Sequence, residues 1–486
     1  MSKIAKNMAW LLLSQVSTWA ISIVMLVVVP RLMSDTQFGR AEFAFTFVGF
    51  FALLAQFGTA PFIVRSTARD PSLMPSYVYN ALVMKSGISV VFSGAAVGLA
   101  ALLGYDKQSV TLVAVCCITM TTVVLNESLV AGQQGRQQMK GPAILDAAKG
   151  YLSAGASLIV LFLTRSVVWY TLTLVSAGFL PLIGNFKRVW PEMRVGRRID
   201  TGLWRVIIRG GAPFLMWSAV QLVYGKIDIP LLQSLASSKE VGWYSLAYNW
   251  VGMPAFFAAI VSTAFFPSLS EHGVTVSTEF KRLGNQSLRL VMFVTIPAAV
   301  GIAVVVHQVF TLLHYSDGYL HAVPLVRILA VHIPIVCMDI LLGVMLGAVD
   351  RQRQWVVVGV IAAALNPLMN LVAIPFTEHH FHNGAIGASI TTVLTELVMM
   401  IGAIWLRPAG ILDRFTTLFI LRCVLASAVM GGAVVLLDGS WLLVRIVAAL
   451  VIYAMMSLLL RTFSIHRWRE DFLPQHESAA SVSSVL

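Results

Sequence analysis

The chain has 486 residues, of which 58% are hydrophobic and only 12% are charged, and its formal net charge is +12. This composition excludes an ordinary soluble globular protein, in which about a quarter of the residues are charged. An excess of Lys and Arg could indicate nucleic acid as a partner of a soluble chain. Here the positions of the charges explain it as a membrane-topology signal, and no nucleic-acid partner is predicted.

Apolar runs long enough to cross about 30 Å of hydrocarbon recur along the whole chain. The first run follows Lys3 and Lys6 and is too long for a signal-peptide core, so we expect it to be retained. The longest charged loop, 187–205, separates six spans from eight. The sequence therefore predicts an all-α polytopic membrane protein with about 14 transmembrane helices, at 8–30, 39–60, 76–104, 108–131, 142–164, 166–186, 207–234, 241–268, 285–313, 322–348, 353–377, 384–406, 414–437 and 440–461.

The segment after the first span returns later in the chain, because 38–69 aligns with 241–272 without a gap. We interpret this as a duplication, in which each copy holds six spans and both copies enter the membrane in the same direction. The identical positions are Gly39/Gly242, Ala44/Ala247, Val48/Val251, Gly49/Gly252, Ala52/Ala255, Ala55/Ala258 and Phe62/Phe265. The predicted organisation is a lobe at 1–205, a lobe at 206–410, two extra helices at 411–462 and a disordered cytoplasmic tail at 463–486.

The distribution of Lys and Arg predicts the orientation. If the N-terminus is cytoplasmic, 21 of the 34 basic residues lie on the cytoplasmic side and six on the opposite side. Both termini are therefore predicted to be cytoplasmic. Tryptophans near the predicted span ends are assigned to the aromatic belt at the membrane surface: Trp10, Trp169, Trp204, Trp243, Trp355, Trp405 and Trp441.

Motifs of enzymatic chemistry are missing from the sequence. It contains no P-loop, no H-E-x-x-H and no Gly-rich dinucleotide fingerprint, and its four cysteines lack metal-ligand spacing. The tract formed by His379, His380 and His382 has one neighbouring carboxylate, Glu378, and is interpreted as a solvated loop. We therefore expect no enzyme activity, no cofactor and no metal site, and a transport activity would depend on an existing gradient.

Ionisable side chains within the spans are costly and usually face a bundle interior or a wet cavity. Four of them lie in the cytoplasmic half of the first lobe, and their charges cancel: Lys85, Glu127, Asp146 and Lys149. They form either a neutral structural network or a coupling-ion or headgroup site. In the second lobe, Asp339 and Glu396 are further candidates for a coupling or structural role.

Basic residues toward the outer span ends are candidates for substrate binding. Spans one and seven are equivalent in the repeat, so Arg31 and Lys226 should face each other across a cavity. Arg40 is a further candidate, although Glu42 could neutralise it. Snorkelling to the membrane surface is the alternative for these residues, and it is favoured for Arg289, Arg327, Arg422 and Arg445.

The two repeat copies resemble a known family. The segments P-R-L-M-S-D-T-Q-F-G-R-A at 30–41 and S-S-K-E-V-G-W-Y-S-L-A-Y at 237–248 are similar to the polysaccharide-transporter branch (Wzx-type flippases) of the multidrug/oligosaccharidyl-lipid/polysaccharide superfamily. In span count and repeat, this resemblance covers the whole chain. The positions that match the family's R-L, F-G and V-G-x-Y motifs are Arg31, Gly39, Val241, Gly242 and Tyr244.

The resemblance implies two six-helix lobes in a V-shaped arrangement, with a cavity lined mainly by spans one, two, seven and eight. It also implies that the protein moves undecaprenyl-diphosphate-linked oligosaccharides outward across the bacterial cytoplasmic membrane by alternating access, for O-antigen, capsule or exopolysaccharide. The implied partners are this substrate and membrane lipids, with a polysaccharide polymerase and a chain-length regulator as further candidates. A lipid II flippase, a drug/cation antiporter and a non-transporting scaffold of a glycan assembly complex are the alternatives.

Overall fold

The computed structural model describes residues 3–194, 198–273 and 275–462, with side chains from residue 18 onward. Every regular element in these ranges is helical, so the predicted all-α class is confirmed. Two of the elements are 3-10 helices, Pro71–Leu73 and Asp317–Ala322. The α-helices are α1 (Lys3–Leu32), α2 (Asp35–Gln56), α3 (Thr59–Arg69), α4 (Met74–Leu102), α5 (Lys107–Gly135), α6 (Lys140–Thr164), α7 (Val167–Ser176), α8 (Phe179–Met193), α9 (Thr201–Lys226), α10 (Asp228–Leu235), α11 (Ser238–Gly252), α12 (Ala255–Gly273), α13 (Thr278–Leu312), α14 (Val323–Ala330), α15 (His332–Ala348), α16 (Gln352–Phe381), α17 (Gly384–Leu406), α18 (Arg414–Leu436) and α19 (Leu442–Leu459).

Each predicted span has a helical counterpart. Among the described residues, 11 helices are long and apolar enough to cross a membrane, and two bent pairs raise this number to 13. The bent pairs are α11 with α12, at 40°, and the segment Asp317–Ala330, which ends with α14, with α15, at 44°. The remaining predicted span, 8–30, corresponds to α1, whose described apolar segment is Thr18–Leu32.

Several spans that were predicted as continuous are broken. Between α2 and α3, Phe57 and Gly58 adopt left-handed φ values of 52° and 60°. A Cβ on Gly58 would lie 2.5 Å from the carbonyl oxygen of Gly211 and 2.4 Å from the amide nitrogen of Leu215, so only glycine allows α9 to approach this closely. The predicted spans that the structure divides into two helices are 39–60, 166–186, 207–234, 241–268 and 322–348.

The helices form two compact units, and the first comprises Met1–Asn249, Phe310–Leu325 and Gly359–Thr391. Within it, α5 packs against α2, α3, α4, α7 and α8, and α3 packs against α9. One apolar cluster joins α3, α4, α5 and α8 through Ile63, Met74, Val78, Ala81, Leu129, Ala131, Val189 and Met193. A second cluster joins α3 and α4 to α9 through Phe62, Met84 and Ile207.

The second unit comprises Trp250–Val309, Val326–Val358 and Thr392–Leu486. In it, α12 packs against α15 and α18 against α19, and the Tyr453 hydroxyl of α19 donates to the Phe293 carbonyl of α13 over 2.8 Å. Large apolar side chains on its outside, such as Leu436 and Trp441, are suited to a hydrocarbon surround. The lobes at 1–205 and 206–410 remain a prediction, and the predicted tail at 463–486 lies outside the described residues.

Candidate functional site

Helices α2 and α11 cross in direct backbone contact at two glycines. A Cβ on Gly39 would lie 1.8 Å from the Ser238 carbonyl oxygen and 2.7 Å from the Gly242 amide nitrogen, and a Cβ on Gly242 would lie 2.2 Å from the Asp35 carbonyl oxygen. Gly39 and Gly242 are aligned in the repeat, and Asp35 and Ser238 each lie four residues before them. Each helix therefore meets the other through the same two positions, which is the reciprocity that a local twofold axis produces.

The turns before these two helices also use the same polar pattern. Ser34 and Gln37 form a capping box at the start of α2, with both hydrogen bonds at 3.3 Å. At the equivalent place before α11, the Ser237 hydroxyl donates to Glu240 Oε1 over 2.9 Å. Glu240 Oε2 accepts the backbone N–H of Gly384 over 2.6 Å, which connects this turn to the start of α17.

Buried side chains join the same region further. Asp35 Oδ2 accepts the indole N–H of Trp243 over 2.9 Å, and the Trp243 ring stacks on His321 with 4.6 Å between the ring centroids. The Tyr319 hydroxyl donates to the Met33 carbonyl over 3.4 Å. Trp243 is 8% exposed, so its assignment to the aromatic belt is wrong, because the hydrogen bond and the stacking hold it inside. In the predicted topology, all these turns lie on the outer side of the membrane.

Arg40 is engaged by residues at the start of α5. Its NH2 nitrogen lies 3.2 Å from Asp106 Oδ2, and its NH1 nitrogen donates to Gln108. Glu42, the neutralising partner considered from the sequence, forms no ion pair with Arg40 in the part of the chain that the structure describes, because residues two apart on a helix point to different faces. Burial opposes ionisation of Asp106, but hydrogen bonds from Ser109 and the charge of Arg40 outweigh burial and lower the pKa of this carboxyl group.

The other two predicted substrate-binding residues have different surroundings. Arg31 is exposed in the last turn of α1 and forms no ion pair with any residue that the structure describes. Lys226 lies in the last turn of α9, with its ammonium 5.4 Å from the centroid of the Tyr248 ring and within electrostatic range of Glu42. That Arg31 and Lys226 face each other stays a prediction.

A buried polar cluster lies next to Lys226 in the sequence. Asp228, at the start of α10, is 2% exposed. Its Oδ2 accepts the Tyr244 hydroxyl over 2.7 Å, and its Oδ1 accepts the side-chain amide of Asn370 over 2.6 Å. Asn370 also donates to the side-chain oxygen of Asn366 over 2.8 Å. These donors stabilise a carboxyl group that would be costly to bury alone.

The four charged residues of the first unit are only partly paired. Lys85 is fully buried, and its ammonium lies 3.1 Å from Glu127 Oε2, whose side chain is 27% exposed. Glu127, Asp146 and Lys149 line a cavity of about 270 Å³. Asp146 is exposed and forms no ion pair within the described ranges, so the four residues are not a uniformly buried network. Whether they serve coupling or structure stays a prediction.

Asp339 and Glu396 belong to the second unit and are both buried. Glu396 Oε2 lies 3.7 Å from Nδ1 of His332. Neither carboxylate oxygen of Asp339 has a hydrogen-bond partner in the part of the chain that the structure describes. The role predicted for these two residues stays open.

Sequence reasoning missed a set of arginines on two packed helices. Arg65 and Arg69 lie on α3, and Arg205 and Arg209 lie on α9. All four are exposed, and none forms an ion pair with a described residue. Arg65 lies between two aromatic rings, 5.6 Å from the Phe62 centroid and 5.9 Å from that of Phe214. The available signal was the spacing of four within each pair, which places both charges on one helix face. We call these residues the arginine rows.

The number of long apolar helices among the described residues indicates a multi-pass membrane protein, in which ionisable side chains usually face a bundle interior or a wet cavity. Comparison with known families agrees, because the family described as polysaccharide biosynthesis protein matches residues 4–272. The chain belongs to this family, which places it among the flippases of the multidrug/oligosaccharidyl-lipid/polysaccharide superfamily.

Solved structures of that superfamily share the fold. A lipid II flippase MurJ in an inward closed conformation superimposes with a TM-score of 0.75 at 15% identity, over 93% of this chain and 99% of that one. An inward-facing multidrug resistance MATE family transporter superimposes with a TM-score of 0.59 at 15% identity, over 80% of this chain and 93% of the other. A probable lipid II flippase MurJ of Haemophilus influenzae is 24% identical over 220 residues, and the matched segment spans 42% of each protein.

Proposed function

We propose that the protein translocates undecaprenyl-diphosphate-linked oligosaccharide repeat units from the cytoplasmic to the outer leaflet of the bacterial cytoplasmic membrane, for the synthesis of a surface polysaccharide. Its membership of the polysaccharide biosynthesis protein family and its flippase fold support this class of activity. The arginine rows on α3 and α9 are the observation that supports a phosphate-bearing substrate.

The charge of the substrate explains the need for such residues. A lipid diphosphate is an anion and does not enter hydrocarbon without compensating positive charge. Guanidinium groups bind phosphate oxygens through two parallel hydrogen bonds, whereas an ammonium acts as a point charge. Exposed arginines without carboxylate partners are therefore available to bind a diphosphate. In the predicted topology, both arginine rows lie at the cytoplasmic ends of their helices, where the substrate is loaded.

The second part of the proposal concerns release. Arg31 and Lys226 lie at the C-terminal ends of α1 and α9, which are on the predicted outer side of the membrane. We propose that they bind the diphosphate shortly before the substrate is released. Lys226 lies 5.4 Å from the centroid of the Tyr248 ring, whereas Arg31 is exposed, so we expect Arg31 to contribute more to binding. With no P-loop in the sequence, we propose that a gradient of ions or the membrane potential drives the cycle.

Complementation of a flippase-deficient strain tests this proposal. The double variant Arg205→Gln, Arg209→Gln should reach the membrane at normal abundance and export surface glycan about tenfold less efficiently, or worse, because charge-assisted hydrogen bonds to the diphosphate are lost. Arg165→Gln, which removes an exposed arginine outside the rows, is the matched control. Normal export by the double variant, or equal loss in the control, would contradict the role of the arginine rows.

A lipid II flippase is the second candidate, since a relative and a structural neighbour are both described by that name. Complementation after depletion of the cell's own lipid II flippase separates the two candidates. Growth rescue would favour lipid II, whereas rescue of surface glycan alone would favour the oligosaccharide. A scaffold without transport activity would leave no lipid-linked intermediates on the cytoplasmic leaflet when the gene is deleted. Association with a polymerase or a chain-length regulator is part of the proposal and is tested by co-purification.

A further inference from the structure

The second unit contains a cavity of about 510 Å³ that the proposed function does not use. It lies where α13 and α14 meet the end of α18 and the start of α19. Its polar lining consists of His307, Gln308, Arg327, Asp438 and Arg445. A volume of this size is within the range of sites that bind small molecules. Both arginines were expected from the sequence to snorkel toward the membrane surface.

Arg445 is instead buried at the wall of the cavity, with only 3% of its surface exposed. Its NH1 nitrogen lies 3.0 Å from Asp438 Oδ1, and its NH2 nitrogen donates to the Val304 carbonyl over 3.4 Å. The third nitrogen of the guanidinium, Nε, has no partner among the described residues, and neither has the side-chain oxygen of Gln308. A buried guanidinium with an unsatisfied donor is costly unless a further acceptor is bound.

Arg327 supplies a second positive charge to the same cavity. It is exposed, and its Nε donates to the Ala303 carbonyl over 3.4 Å. The only carboxylate among the described lining residues is Asp438, which already pairs with Arg445 and whose side chain is 81% exposed. Two guanidinium groups and one carboxylate leave one positive charge uncompensated, so the cavity favours an anion.

The position of the cavity indicates what kind of anion can reach it. The lining residues lie near the end of α13, around the turn between α18 and α19, and therefore at one surface of the membrane. Trp441 in this turn is 85% exposed, as expected for a residue at the level of the lipid headgroups. Leu436 and Leu443, on either side of the turn, are 87% and 71% exposed and are suited to contact acyl chains.

We propose that this cavity binds the phosphate group of an anionic membrane lipid, with Arg445 and Arg327 as the groups that hold it. The guanidinium forks supply the geometry for phosphate oxygens, and the exposed leucines accommodate the chains that accompany the headgroup. The same phosphate chemistry is offered by a bilayer phospholipid and by a polyprenyl phosphate. The site is separate from the arginine rows and does not depend on the proposed transport activity.

Native mass spectrometry of the purified full-length protein tests the site. The protein is titrated with phosphatidylglycerol, with zwitterionic phosphatidylcholine, and in a separate arm with undecaprenyl phosphate. We expect preferential retention of phosphatidylglycerol, and a reduction of about tenfold in this retention in Arg327→Gln and Arg445→Gln. Arg165→Gln, which removes an exposed arginine elsewhere, should retain the lipid as the unchanged protein does. Asp438→Asn should strengthen retention, because it removes the only carboxylate among the described lining residues.

Equal retention of the two phospholipids, or a preference that survives both arginine variants, would overturn the proposal. If Arg445→Gln lowers the yield of folded protein, Arg327→Gln decides alone, since this exposed side chain has little structural role. Loss of retention in the variants for undecaprenyl phosphate only would assign the site to the polyprenyl carrier. Loss of phosphatidylglycerol retention in the variants would assign the site to a bilayer phospholipid. If Asp438→Asn did not strengthen retention of the lipid, the Arg445–Asp438 pair would be structural, and this result would count against anion binding.

Discussion

Two regions of the first compact unit differ in whether their polar groups have partners. One is the crossing of α2 and α11, and the other is the arginine rows of α3 and α9. At the crossing, Asp35 and Glu240 each accept hydrogen bonds from identified donors on other elements. The backbones approach so closely that Gly39 and Gly242 leave no room for a Cβ. In the rows, four guanidinium groups are exposed and have no carboxylate partner among the described residues.

This difference separates a structural region from a candidate binding region. Within hydrocarbon, a polar group that already has its partners gains nothing from a ligand, whereas an uncompensated cation does. Charge alone is therefore a poor guide to a transport site, and the partner of each charge has to be known. Variants at partnered and unpartnered positions should consequently differ in what they lose, either folded protein or transport.

The largest effect is expected where the two backbones touch. Gly39→Ala and Gly242→Ala each place a Cβ within 2.2 Å of a backbone carbonyl oxygen of the other helix. Neither helix can yield without separating the crossing, so the cost should exceed the roughly 1–3 kcal/mol of ordinary overpacking. We expect a marked drop in membrane abundance and in the thermal stability of the purified protein.

The repeat itself supplies the control for these variants. Gly49 and Gly252 are also identical between the copies, but a Cβ at either position meets nothing within 4 Å. Gly49→Ala and Gly252→Ala should therefore leave abundance unchanged or slightly raised, because alanine favours helix over glycine. Normal stability of Gly39→Ala would show that the crossing is loose and would remove the contrast between the two regions.

The sequence was sufficient for the fold because hydrophobic length and basic loops are local signals. Each predicted span has a helix, and the aligned repeat positions Gly39 and Gly242 lie in contact. The breaks within the spans were not predictable in the same way. Gly58 is required there because a Cβ at this position would lie 2.5 Å from the Gly211 carbonyl oxygen of α9, and α9 lies about 150 residues away in the sequence. An apolar run with a single glycine is otherwise compatible with a straight helix.

The candidate site was harder to predict because the partner of a charge is a long-range property. Arg40 and Trp243 were both assigned from their distance to a span end. Their partners, Asp106 and Asp35, are brought to them by folding. The arginine rows were overlooked because Arg65, Arg69 and Arg205 belong to the 21 basic residues on the predicted cytoplasmic side and were interpreted as topology signals only. Only the packing of α3 on α9 shows that the two pairs belong together.

The second largest effect is expected at the ion pair of Lys85 and Glu127. Like the polar groups at the crossing of α2 and α11, these two charges already have a partner. Glu127→Gln would strand a fully buried ammonium, and breaking a buried pair in this way costs about 3–5 kcal/mol. Lys85→Met leaves a carboxylate that faces a cavity, so it should cost less. We expect abundance and thermal stability to fall more in Glu127→Gln than in Lys85→Met, with partial recovery in the double variant.

The same variants distinguish the two roles left open for this cluster. A structural pair predicts that transport per molecule of folded protein stays close to normal in Lys85→Met. Normal abundance of Glu127→Gln together with lost transport would instead identify Glu127 as a coupling residue. Asp146→Asn is a useful comparison, because Asp146 lines the same cavity but is not held in an ion pair within the described ranges.

The smallest effect is expected at Arg40, which the sequence alone would have grouped with Arg31. Arg40 is held by Asp106 and Gln108, and the lowered pKa of Asp106 keeps this pair ionised at neutral pH, so its contribution is lost only as the pH falls through that pKa. Partly exposed pairs contribute about 0–1 kcal/mol, so Arg40→Gln should change thermal stability little.

Glycan export should remain near normal in the Arg40→Gln variant and fall clearly in Arg31→Gln. Asp106→Asn is the matched control, and the double variant should lose little more than Arg40→Gln alone, because the Arg40–Asp106 ion pair is removed in all three variants. Loss of export in Arg40→Gln at normal abundance, without such a loss in Asp106→Asn, would mean that Arg40 contacts the substrate. The presence of an ion pair would then no longer distinguish structural arginines from substrate-binding arginines in this protein.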